Sequence, residues 1–410
     1  MATILFLSGI IVCSVIIKNN FSKSIMFKLI PRVRVNYTLA DLCRGFFAGR
    51  GKGRNCKELR LALSRFFEVD DVLLTSSGRA SIYMLLKFLP QSKVVVPAYT
   101  CKVVVEAAML AGKKIIYAPT SRKTFNVTTL PELDANTIVI ATHQYGLPCD
   151  IEKICEECKK EGAIVIEDCA GALGTKVNGK LVGTFGDYGI FSFDSSKMLT
   201  MPSKGGFIIA KNCNELKDID LKTPMHHHCS IAYKMKHLMR GFIYVLLKNS
   251  YIYRCFHYIT MARKGQMQLN DNVNTDVSLG EFYTHSLYEW QAAVILRQIW
   301  QMDDIIEKRK KIYSYYDEHI HNKNIEKPIV CQNAACIRYA ILVKDKKRFY
   351  EGCVQLGVDM GFSFNHLACS EECREEQQIS NDVLNLPYYY NMSEKEQSYI
   401  VNTINSVVIW

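Results

Sequence analysis

The stretch that most constrains this chain runs from Ala163 to Ala210. It opens with an apolar run, Ala163 to Ile166, bounded by Gly162 before it and Glu167-Asp168 after it. Such a run reads as a buried strand of a sheet covered on both faces. Asp168 then falls at the carboxyl end of that strand, where open α/β sheets place their ligands. Twenty-nine residues on, Lys197 follows a second short run, Tyr188 to Phe193, within Phe-Ser-Phe-Asp-Ser-Ser-Lys. An acid at one strand end and a lysine after another suit pyridoxal 5'-phosphate (PLP). The lysine amine holds the cofactor's aldehyde, and the carboxylate keeps its ring nitrogen protonated so the ring accepts electrons. Spacing alone does not establish this, because most Asp/Lys pairs at this distance are unrelated surface residues.

Upstream, Val72-Leu-Leu-Thr-Ser-Ser-Gly-Arg-Ala-Ser reads as strand, turn and helix. Backbone N–H groups at such a helix start bind anions, which would set a phosphate over Ser77, Gly78 and Arg79. A Ser-Gly turn by itself is more often a plain N-cap. Val94 to Cys101 is a strand ending in a turn that carries Tyr99 and Cys101. A helix over Val103 to Ala111 and a strand over Lys114 to Tyr117 follow. Thr137 to Gly146 is a further strand, ending in His143-Gln-Tyr-Gly. A lone histidine there is more often a hydrogen-bonded structural group than a catalyst. The βαβα alternation implies a largely parallel sheet.

These segments together resemble the DegT/DnrJ/EryC1/StrS family of sugar aminotransferases. The resemblance rests on Glu167-Asp168-Cys169-Ala170-Gly171-Ala172-Leu173-Gly174, Gly179 to Asp187, Phe191 to Lys197, and Gly205-Gly206-Phe207-Ile208, in that order. Weaker matches are His143-Gln-Tyr-Gly146 and Ser286 to Ala293, which is like the start of a long family helix. The resemblance implies fold type I of the PLP-dependent transferases: a mostly parallel seven-stranded sheet with helices on both faces, plus a smaller C-terminal α/β domain. The expected division is an N-terminal extension over 1–38, a large PLP-binding domain over 39–285, divergent over about 213–282, and a small domain over 286–410. The implied activity moves an amino group, from glutamate, onto a nucleotide-linked keto sugar for surface-glycan or natural-product amino sugars. Lys197 would be the catalytic lysine. Ser77, Gly78, Arg79, Tyr99, Cys101, His143, Asp168, Gly171 and Ser192 would line the cofactor, and a homodimer is expected because a neighbouring chain completes each family site.

The chain departs from the family pattern at several places. The usual ring-stacking aromatic falls on Cys101, with Tyr99 two residues earlier as a substitute. The glutamine after the Asp-x-Ala motif is Gly171, the glutamate before the paired glycines is Lys204, and a cross-subunit asparagine falls near Thr284. A dehydratase of the same family would carry histidine in place of Lys197. A non-catalytic binding protein, possibly tethered to a membrane, is the rival of a different class.

The 410 residues suffice for two domains, and the 49% hydrophobic content with 22% charged residues fits a globular protein. The net charge of +11 comes without a Lys/Arg block interleaved with aromatics, so a solvated basic surface is favoured over a nucleic-acid site. The sixteen cysteines are scattered, which points to a reducing cytoplasm rather than a small secreted framework. Cys155 with Cys158, Cys369 with Cys373, and His226-His227-His228-Cys229 lack the partners or geometry of a zinc site, so no metal is expected. Met1 to Ile17 is uncharged and apolar and is followed by Lys18, Lys23, Lys28, Arg32 and Arg34. It reads either as a membrane anchor with a cytoplasmic basic flank or as sequence preceding a true start at Met26.

Overall fold

The computed structural model describes residues 28–49, 53–223, 228–264, 278–280, 283, 285–366, 369 and 373–408. The apolar segment 1–17, His226, His227 and Thr284 lie outside them. Among the described residues no helix is long and apolar enough to cross a membrane.

Thr38 opens the first helix with a capping box: its hydroxyl accepts from the Asp41 N–H, and Asp41 accepts in return from the Thr38 N–H at 2.8 Å. Helices α1 (Leu39–Phe47) and α2 (Arg54–Phe67) lead to β1 (Leu73–Thr75), α3 (Gly78–Phe88), β2 (Lys93–Pro97), α4 (Lys102–Leu110) and β3 (Lys114–Ala118). Next come β4 (Thr137–Thr142), α5 (Ile151–Glu161), β5 (Ile164–Asp168), a hairpin of β6 (Lys176–Val177) and β7 (Lys180–Leu181), then β8 (Tyr188–Phe193) and β9 (Gly205–Ala210). The main sheet has seven strands in the order β1-β9-β8-β5-β4-β2-β3. β9 runs antiparallel to both neighbours, and the other pairings are parallel. This is the expected fold type I arrangement. Every residue of β4 and of β9 is buried, as a sheet covered on both faces requires.

After β9 come α6 (Glu215–Lys222), α7 (Ile231–Leu246) and α8 (Ser250–Lys264), then α9 (Glu289–Trp300) and α10 (Met302–His319). Gly241 of α7 sits so close to Leu42 and Pro202 that a Cβ there would lie 2.8 Å from each. The other faces of α7 and α8 leave Met235, Met239, Phe242, Phe256 and Tyr258 exposed. The remainder is β10 (Ile325–Glu326), β11 (Ala340–Val343), α11 (Lys346–Gln355), α12 (Arg374–Asp382), β12 (Val383–Asn385) and α13 (Glu394–Ser406), with an antiparallel sheet β10-β11-β12. Cys369 and Cys373 are joined as a disulfide just before α12.

Two cores meet along α10. Ile305 packs with Phe191, Phe207 and Leu199 under the main sheet, whereas Ile312 and Tyr316 pack with Ile341, Phe349 and Ile400. α9 belongs with the first core through Ala292, Ile295 and Ile299. Ile30 belongs with the second, so the first described residues are built into the C-terminal layer.

Candidate functional site

The parallel strands deliver their carboxyl ends to one edge of the sheet, and the sequence-selected residues gather there. Asp168 is the last residue of β5, pairs in register with Thr142 of β4 and Ile190 of β8, and is 5% exposed. Its Oδ1 accepts the Ala170 N–H at 3.0 Å, closing an Asx turn that aims the carboxylate out of the sheet edge. Burial pushes its carboxyl upward, and the Ala170 N–H and the charges of Lys197 and His143 oppose that. Lys197 is therefore within electrostatic reach of Asp168.

Lys197 sits on a turn built from its own neighbours. Asp194 Oδ1 accepts from the Ser196 N–H at 2.6 Å and from the Ser196 hydroxyl at 2.9 Å. The following segment is pinned from three sides. The Asn36 side-chain amide donates to the Met198 carbonyl at 2.8 Å, Gln298 exchanges two hydrogen bonds with the Thr200 backbone, and Gln291 donates to Ser203 Oγ and the Lys204 carbonyl. Gln291 and Gln298 both come from α9. The Gln-Ala-Ala helix thus holds the lysine turn rather than merely filling the core.

The start of α3 lies against β8 and β9. Ser77 caps it, accepting the Ala80 N–H at 3.1 Å. A Cβ on Gly78 would fall 2.8 Å from the Ser192 Cβ, and a Cβ on Gly206 would fall 2.6 Å from the Phe191 carbonyl oxygen. Only glycines let the helix start come this close. The N–H groups of Gly78 and Arg79 find no acceptor among the described residues, as the first turn of a helix dictates. Arg79 lies 4.0 Å from the Glu106 carboxylate and 5.8 Å above the Tyr283 ring. Burial and the nearby Arg79 charge push the Lys204 ammonium down from the ordinary lysine value, with Asp194 and Cys101 acting the other way. Two cations, a serine hydroxyl and free helix N–H groups converge here, which is the donor set a phosphate needs. Gly206→Ala is accordingly expected to destabilise the fold by about 1–3 kcal/mol through overpacking against backbone. The check is a lowered urea-unfolding midpoint with an unchanged slope.

Cys101 and Tyr99, two residues apart, have different fates. The half-buried Cys101 occupies the N-cap position of α4, without a side-chain capping bond. Burial pushes its thiol up, while the Val103 N–H and the charges of Lys197 and Arg79 pull it down. Cys101 thus stands among the pocket's charged groups. Tyr99 is fully buried, with its hydroxyl 2.7 Å from that of Tyr145 and donating to the Phe364 carbonyl at 3.0 Å. Its ring packs with the C-terminal core and is committed away from Lys197. Of the two, Cys101 is the one brought to the Asp168–Lys197 pair.

His143 is 1% exposed and bound at both ring nitrogens: Nε2 lies 3.1 Å from Glu167 Oε2, and Nδ1 accepts the Cys149 N–H at 3.2 Å. Its influence on the pocket runs through the Asp168 charge, which suits a structural neighbour better than an acid–base. His143, Glu167 and Cys169 form a triad compact enough for a metal ion. Glu167, however, also accepts the N–H groups of Gly183, Phe185 and Gly186 at 2.7 to 2.8 Å. Its lone pairs are spent on a loop, which is the work of a structural clamp. Gly171 lies under Ile337, whose Cδ1 would be 3.3 Å from an added Cβ. The side chain absent there leaves room for a segment of the C-terminal layer.

Sequence reasoning missed Asp194, Tyr145, Arg338 and His366. His366 accepts the Lys102 N–H at 2.8 Å and so ties the C-terminal layer to the start of α4. It has no sequence signal because its partner is 264 positions away. Asp194 lay in plain view, three residues before Lys197.

The sequence profile of the DegT/DnrJ/EryC1/StrS aminotransferase family matches residues 48–405. A GDP-perosamine synthase of Vibrio cholerae is 31% identical over 175 residues, covering 41% of this chain and 47% of that protein. A GDP-perosamine synthase of Escherichia coli O157:H7 is 29% identical over 255 residues, covering 60% of this chain and 58% of its own. The chain thus spans about half the length of these curated relatives. Among solved structures, the PLP form of the Streptococcus pneumoniae protein Spr1654 superimposes with a TM-score of 0.68 at 17% identity, over 92% of this chain and 98% of that one. The strand order, the residues gathered at its carboxyl edge and the matched span agree, and the chain belongs to the DegT/DnrJ/EryC1/StrS aminotransferase family.

Proposed function

We propose that this protein is a PLP-dependent aminotransferase that passes an amino group from an amino acid, glutamate, to a nucleotide-linked keto sugar. The observation carrying this reading is that Lys197 and Asp168, from separate strand ends, share one electrostatic environment beside an anion-binding helix start. The residues fit the cofactor at both ends. Gly78 and Arg79 N–H groups, Ser192, Arg79 and Lys204 would hold its phosphate, and Asp168 would meet its ring nitrogen. A buried carboxylate pushed upward by desolvation is stabilised as an anion by a cationic partner. Cys101 would lie against the ring and Ser77 would order the phosphate cup.

When bound, the cofactor supplies a carbon that carries the amino group and a ring that takes up electrons. Lys197 would hold it, and once released by the amino donor its amine would take the proton from the donor's α-carbon and, in the second half-reaction, deliver one to the sugar carbon that receives the amino group. That work needs the neutral amine. Asp168 keeps the ring nitrogen protonated throughout. The Asp194 turn, braced by Asn36, Gln291 and Gln298, keeps the amine in reach of that carbon. A homodimer is part of this reading, supported by the apolar side chains left exposed on α7 and α8. The test is a half-reaction. Protein loaded with PLP should lose its visible absorbance on mixing with L-glutamate and regain it with a keto-sugar nucleotide. Retained PLP with no response to any amino donor would favour a non-catalytic binding protein.

A further inference from the structure

The C-terminal layer reaches the turns after β4 and β5 through residues 335–337. The Ile337 N–H donates to the Tyr145 carbonyl at 2.9 Å, and Ile337 lies over Gly171. A Cβ on Gly146 would fall 2.5 Å from the Cys336 Cα and 2.8 Å from the Ala335 carbonyl. Gly146, at φ +103°, and Gly171 therefore let residues 335–337 close onto the turns that follow β4 and β5. The next residue is Arg338. Its half-buried side chain stands within electrostatic reach of Tyr145, Asp194 and Cys101, the last two already neighbours of Lys204. Its guanidinium makes no hydrogen bond or ion pair among the described residues. Asp194 is near, but its Oδ1 serves Ser196.

An arginine in such a place is costly unless something pairs with it. Five N–H donors in a rigid fork, beside Asp194 and Cys101 and without a hydrogen-bond partner among the described residues, match one chemistry best, a carboxylate taken by two parallel bonds. The phosphate would already have Arg79, Lys204 and the α3 N–H groups under the function proposed above.

We propose that Arg338 receives a carboxylate of a substrate in the aminotransferase site, an inference that rests on the function proposed above. Two reactants could bring that group: the amino-acid donor, or a sugar oxidised at its exocyclic carbon. The test uses PLP-loaded full-length protein and the variants Arg338→Gln and Arg338→Lys. Calorimetric titration with glutarate, which has the carboxylates but no amine, reads the donor arm together with KM and kcat of the L-glutamate half-reaction. The amino-loaded protein, mixed with a neutral keto-sugar nucleotide and with its carboxylate counterpart, reads the sugar arm.

Arg338→Gln should weaken one carboxylate arm by about 10- to 100-fold, chiefly in binding or KM, and leave the neutral sugar unchanged. Arg338→Lys, which keeps the charge and loses the fork, should fall between. Loss in the glutarate and glutamate arm assigns the donor, and loss confined to the sugar carboxylate assigns the sugar. Because the guanidinium has no partner to lose, thermal stability and PLP retention should hold or improve in Arg338→Gln. Equal rates in every arm, an equal loss that includes the neutral sugar, or a variant that melts early or does not fold would overturn the proposal. A wild type that takes up no PLP, or that answers no amino donor, would instead overturn the aminotransferase reading itself.

Discussion

Lys197→Ala is expected to lower the steady-state transamination rate by at least about 10⁴-fold, because one substitution removes both the cofactor's covalent anchor and the proton-transfer group. The protein should still fold. The Lys197 side chain is half-buried and makes no hydrogen bond or ion pair among the described residues. The turn that carries it is held by Asp194, Ser196, Asn36 and Gln298, all of which the variant keeps. Urea unfolding of the variant should therefore match the cofactor-free wild type, while turnover disappears. Added small amines that mimic the lysine should restore part of the rate, which a variant inactive through misfolding would not show.

Glu167→Ala should have the largest effect on stability, about 3–5 kcal/mol. The Glu167 side chain is completely buried and accepts from three backbone N–H groups of the loop 183–186 while facing His143. Truncation strands those donors in a site water cannot reach. Glu167→Gln keeps one acceptor but turns an N–H₂ toward donors, so it should lose less. The unfolding midpoint checks both. Cofactor retention should fall with stability, since the adjacent residue on β5 is Asp168.

Much of this was legible along the chain because the site is built from strand ends. Buried parallel strands are short apolar runs, and whatever follows each run arrives at the same edge. Asp168, Ser77, Cys101 and Lys197 could therefore be chosen from sequence. What sequence order could not supply was side-chain direction after each strand. Tyr99 and Cys101 were equal candidates to cover the ring until Tyr99 was seen to bond Tyr145 and Phe364. Which partners His143 would take could not be read from its strand-end position; Glu167 and the Cys149 N–H engage its two nitrogens. Arg338 and His366 carry no local motif, because their positions depend on how the C-terminal layer closes over Gly146 and Gly171. The departures from the family pattern also gained a physical account. The missing side chain at Gly171 is where Ile337 packs, and the cation at Lys204 joins Arg79 beside the phosphate-binding helix start.

The central claim is that Lys197 carries the cofactor with Asp168 at its far end. Borohydride reduction of PLP-loaded protein, followed by peptide mass spectrometry, tests it most directly. The reduced cofactor's mass is expected on the peptide containing Lys197 and is expected to disappear in Lys197→Ala. Cofactor fixed to a different lysine, or no fixed cofactor on a folded, PLP-saturated wild type, would contradict it.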